Sequence, residues 1–126
     1  MSLMVVRGET ATIRDLQQEL ARGLGGLRLA ITVGGGDRLE RPVHEDVARA
    51  LGALTALRDL RLGELGDSPR RAPLARLLDC RIRRLAIAQD DLLAALAGGD
   101  RGAFRRQGYR FVALAESMWM VTRASG

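Results

Sequence analysis

Apolar residues recur along this chain with two different periods. Ile13, Leu16, Leu20 and Leu24 fall at steps of three and four, which places them on one helical face. Thr12 stands just before that run with Asp15 three residues on, the arrangement of a capping box. Val43, Val47, Leu51 and Leu54 form a second helical run, opened by Pro42. Leu74, Leu77 and Leu78 follow Pro73. Leu92, Leu93 and Leu96 follow Asp90 and Asp91, whose charges suit the positive end of a helix. Between these runs, segments 3–6, 27–33, 57–62, 82–88 and 109–114 read as extended, and glycine-rich stretches at 34–36, 63–71 and 98–102 read as turns or loops. Strand alternating with helix is the order of a parallel sheet with crossover helices. The pattern therefore predicts a single α/β domain over residues 1–126, with about five parallel strands.

The extended segments also share a spacing. Leu57, Leu60 and Leu62 stand as L-x-x-L-x-L. The same spacing returns at Leu24, Leu27 and Leu29, at Ile82, Leu85 and Ile87, and more weakly at Tyr109, Val112 and Leu114. With Leu51 and Leu54 added ahead of Leu57, residues 51–62 closely resemble the leucine-rich repeat family, and the resemblance covers roughly residues 13–96. It implies a short solenoid of parallel strands alternating with helices, each repeat burying its leucines against the next. It also implies a role as a protein-protein interaction module that uses the exposed strand face. Where that family carries Asn or Cys after the strand, this chain has Thr32, Leu65 and Asp90.

In such a strand Leu60 and Leu62 face inward, so Asp59, Arg61 and Gly63 face outward. The same register turns Arg28 outward on the strand before and Arg84 on the strand after. Stacked repeats would gather Arg28, Arg61 and Arg84 beside Asp59 as the partner-binding site. Guanidinium forks bind carboxylates two bonds at a time, so the expected partner is an acidic protein.

Composition narrows the chemistry. The 126 residues carry a formal charge of +5, and all 20 basic residues are Arg. With no Lys there is no phosphate-loop lysine and no Schiff base. A single Cys, Cys80, excludes an internal disulfide, and a single His, His44, leaves little for a zinc site. No cofactor or metal is expected, and no enzyme activity. His44 reads as a surface residue, since its neighbours Glu45 and Asp46 do not face it on a helix. Cys80 lies in an apolar run and reads as core filler. Gly34, Gly35 and Gly36 lack the third glycine of a dinucleotide fingerprint, because Leu39 stands in that place.

Arg70, Arg71, Arg76, Arg81, Arg83 and Arg84 form the densest charge cluster, read as a solvated face or a site for an acidic protein. Nucleic acid is not expected, because the chain has only Phe104, Tyr109, Phe111 and Trp119 for stacking. The N-terminal apolar stretch is too short for a signal peptide and no segment is long enough to span a bilayer, so a cytoplasmic, non-membrane protein is expected. The apolar stretch 118–121 reads as a capping strand or a surface left by truncation. The alternative to the solenoid is a compact flavodoxin-like α/β domain that binds a small ligand or acts as an enzyme, with its glycines at a strand end.

Overall fold

The computed structural model describes residues 12–34 and 37–124. Four long helices account for nearly all of them: α1 Ile13–Val33, α2 Glu40–Leu65, α3 Arg71–Ala97 and α4 Arg101–Ala124. A single 3-10 turn, Asp37–Leu39, leads into α2. Among the described residues there is no strand. The fold is therefore all-α. It is neither an α/β solenoid of leucine-rich-repeat type nor a flavodoxin-like sheet. The expected strands 27–33, 57–62, 82–88 and 109–114 lie inside α1, α2, α3 and α4, while 3–6 falls outside the described residues.

The physical reason lies in the third residue of each triplet. In a strand the second and third residues of L-x-x-L-x-L share a face, whereas on a helix two residues apart means about 200° of rotation. Leu24 and Leu27 are buried on α1, but Leu29 is 67% exposed. On α3, Leu85 is fully buried and Ile87 is 55% exposed. In these two triplets the L-x-x-L half is a helical i, i+3 pair and the last residue is a surface apolar side chain, whereas Leu62 and Leu114 are half-buried. Thr32, Leu65 and Asp90 all lie within helices, so no repeat turn exists for them to stabilise.

Local signals agree with long helices. The Thr12 hydroxyl accepts from the Asp15 amide at 3.1 Å, and Asp15 Oδ2 accepts from the Thr12 amide at 3.2 Å, which closes the expected capping box. Pro42 and Pro73 each occupy the third position of a helix, where the missing amide has no intrahelical partner to lose. Gly34 ends α1 in the left-handed region, with φ 95°, and donates to the carbonyls of Ala30 and Ile31.

Cross-helix contacts give the arrangement. Glu19 on α1 reaches Arg49 on α2, and Arg58 on α2 reaches Asp79 on α3. On α3 and α4, Asp91 meets Arg110 while Arg81 meets Ser117, so the two run antiparallel. Arg28 on α1 pairs with Glu116 on α4 and closes the ring. The result is an up-down-up-down four-helix bundle. Leu24, Leu27 and Ile31 meet Val47 and Leu54, Leu85 and Leu92, and Phe104, Phe111 and Met118 in one core. The expected helical runs from Ile13, Val43, Leu74 and Leu92 all lie on observed helices, which extend well beyond them.

Candidate functional site

Without a sheet, the column expected to gather Arg28, Asp59, Arg61 and Arg84 has no basis. The four stand on three helices. Arg28 is held by Glu116 at 2.5 Å and Asp59 by Arg58 at 3.0 Å. Arg61, expected to face outward, continues the i, i+3, i+7 row of Leu54 and Leu57 toward the bundle interior. Its side chain is only 11% exposed, it pairs with Glu64 at 3.0 Å, and its Nε has no partner. Leu60, expected to be buried, is only half-buried. Of the four, only Arg84 is both exposed and outside any ion pair among the described residues.

Arg84 belongs to a different surface, the outer face of α3. Leu78, Leu85 and Leu92 repeat every seven residues on the buried side of that helix. Arg76, Cys80, Arg83 and Ile87, at i, i+4, i+7 and i+11, stand opposite them. Leu77 and Arg84 flank this row, one heptad apart. All six residues are exposed. Among the described residues Arg76, Arg83 and Arg84 make no ion pair and no side-chain hydrogen bond. Six other arginines among the described residues do have carboxylate partners. Arg58 engages both Asp59 and Asp79, Arg49 lies against Glu19 and Asp46, and Arg110 takes Asp91. The sequence grouped Arg70–Arg84 by density alone. The recurrence of Arg and apolar residues at i, i+4, i+7 and i+11 was the signal that a helical reading of 71–97 would have used.

Cys80 sits in the middle of this face, exposed, and is not core filler as expected. His44 is exposed on α2, as expected. No group of three or more His, Cys, Asp or Glu among the described residues is arranged to hold a metal ion. No described helix is long and apolar enough to cross a membrane. The α2–α3 turn carries an open depression of ≈ 550 Å³ lined by Leu62, Gly66, Pro69 and Arg71, among others. Its hydroxyl, on Ser68, already accepts from the Arg70 amide at 3.2 Å and serves the turn.

Two carboxyls depart from their ordinary behaviour, both for structural reasons. The Thr12 hydrogen bonds hold Asp15 below its usual value. Burial pushes Asp46 up, against the pull of Arg49 and with a small push from Glu45. Asp46 lies over Gly26, where a Cβ would run into its carboxylate. It belongs to the α1–α2 packing, against Gly26 and Arg49.

No family model matches the chain. No curated protein and no solved structure matches it either.

Proposed function

We propose that this chain is a helical interaction module that binds an acidic segment of another protein along the outer face of α3. The observation that carries this reading is the clustering of three exposed guanidinium groups, Arg76, Arg83 and Arg84, none with a carboxylate partner among the described residues, beside exposed aliphatic side chains on one helix face. Leu77, 43% exposed, and Ile87, 55% exposed, lie on the same face. Arg with aliphatic residues in a helical stripe suits a partner helix that presents acids beside apolar side chains. Arg forks give such a surface orientation as well as attraction.

The face carries no aromatic ring, so it offers nothing on which a nucleic-acid base would stack.

The test is charge reversal. Arg76→Glu, Arg83→Glu and Arg84→Glu together are expected to abolish capture of the partner from a native lysate while leaving the melting temperature within a few degrees, because none of the three touches the core. Capture that survives the triple substitution would place binding elsewhere.

A further inference from the structure

The first half of α4 presents a second basic surface of different character. Arg101, Arg105 and Arg106 are exposed and form no ion pair among the described residues. The acids nearby are engaged elsewhere. Asp100 Oδ1 accepts from the Ala103 amide at 3.0 Å, Asp91 holds Arg110 at 3.1 Å, and Glu116 holds Arg28. Tyr109 stands one turn beyond Arg105 and Arg106, and it is 53% exposed although an aromatic ring gains much from burial. Gly102 and Ala113, seven residues before it and four after, are also exposed. Ala113, one turn beyond the ring, leaves room on that side for a flat group, while the Arg106 guanidinium lies over Gly102. On α4 the other exposed large apolar side chain is Met120, three turns beyond Tyr109 on the same face.

We propose that Arg101, Arg105, Arg106 and Tyr109 form a landing site for single-stranded nucleic acid. The phenol ring stacks an unpaired base, and the guanidinium groups one turn away take the flanking phosphates. Stacking on an aromatic side chain tolerates any base, because every base has a π face. Guanidinium groups add both charge and bidentate bonds to phosphate oxygens. The few aromatic residues of the sequence had argued against nucleic acid, but that argument counts rings and not their exposure. The site is separate from the α3 face. The Asp91–Arg110 pair shows that the first half of α4 lies beside the C-terminal part of α3, whereas Arg76, Arg83 and Arg84 stand two to four turns before Asp91.

The test is fluorescence anisotropy with a labelled oligothymidylate of about 12 nucleotides, a length within the usual range of single-stranded sites. Saturable binding is expected, with a log-log salt slope of about −2 for three phosphate contacts. Tyr109→Ala should weaken binding ~10-fold at constant salt, and Tyr109→Phe should not, since the ring does the stacking. Arg105→Gln with Arg106→Gln should flatten the salt slope, and the triple reversal on α3 should leave binding in place. Thermal melts of each variant confirm that it is folded. Absence of saturable binding would overturn the proposal. So would an unchanged affinity in Tyr109→Ala, or equal binding of polyglutamate of matched length, which carries charge without bases.

Discussion

Ile31 of α1 fills the notch that Gly108 leaves in α4. A Cβ on Gly108 would lie 2.5 Å from Ile31 Cδ1 and 2.7 Å from Cγ1, and Ile31 is fully buried. The isoleucine has nowhere to retreat, so the glycine sets how closely the first and last helices approach.

Gly108→Ala is accordingly expected to destabilise the bundle. Overpacking costs about 1–3 kcal/mol, and the better helix propensity of Ala returns up to ~1 kcal/mol of that. Ile31→Val, which removes Cδ1, should be milder in the Gly108→Ala background than in the parent chain. Urea unfolding of the two single variants and the double variant measures this coupling. A stabilised Gly108→Ala variant would contradict the close packing.

Other helix-interior glycines behave in the opposite way. Nothing lies within 4 Å of a Cβ built on Gly25 or Gly52. Gly25→Ala and Gly52→Ala should each add about 0.5–1 kcal/mol. Gly23→Ala should not, because its Cβ would fall 2.6 Å from the Asp46 carbonyl oxygen, a backbone atom of α2. Thermal melts of the three variants separate open helix surface from helix contact. Equal effects would mean that α1 does not meet α2 along Gly23.

Three helix starts were legible in the sequence, as were most of the apolar rows that face the core. The start read at Asp90 and Asp91 falls well inside α3, and that of α4 at Arg101 went unread. Thr12 with Asp15, Pro42 and Pro73 marked helix beginnings near where they occur. The strands were misread because L-x-x-L satisfies both a helical i, i+3 step and the opening of a repeat. Only the fate of the last residue separates the two, and Leu29 and Ile87 stand outside. The candidate site suffered from the same error. Strand alternation turned Arg61 outward, whereas helical rotation carries it inward beside Leu57. The density of arginine at 70–84 was visible at once, but its distribution around α3 needed the helix.

Arg61 itself offers a test of that rotation. Its Nε is buried without a partner, which is unfavourable. Arg61→Met keeps the length and removes the orphaned donor. The variant is expected to be as stable as the parent or more stable by about 1 kcal/mol, since apolar replacements of covered ion pairs are often neutral or favourable. A loss of more than ~1 kcal/mol in urea unfolding would show that the guanidinium is well solvated or well paired.

Asp46 should leave a signature in pH dependence. Folding raises its pKa above the ordinary 3.8, chiefly through burial. The folded chain therefore holds that proton more tightly than the unfolded chain. This contribution to stability is greatest below 3.8 and declines as pH rises through the raised value. Asp46→Asn cannot ionise and escapes the decline. Relative to the parent, the variant should gain stability between strongly acidic and neutral pH, measured as the shift in urea midpoint. A relative loss over the same range would mean that the Arg49 attraction outweighs burial.

The central claim, that the outer face of α3 meets an acidic protein segment, is tested most directly from the centre of that face. Cys80 is exposed and is the only cysteine in the chain, so a photo-crosslinker attached there reports what touches the stripe. Irradiation in native lysate should give a discrete adduct whose crosslinked peptide carries an excess of Asp and Glu. The adduct should vanish in the Arg76→Glu, Arg83→Glu, Arg84→Glu variant at unchanged melting temperature. Adducts that persist in that variant, or crosslinked peptides without acidic character, would contradict the account.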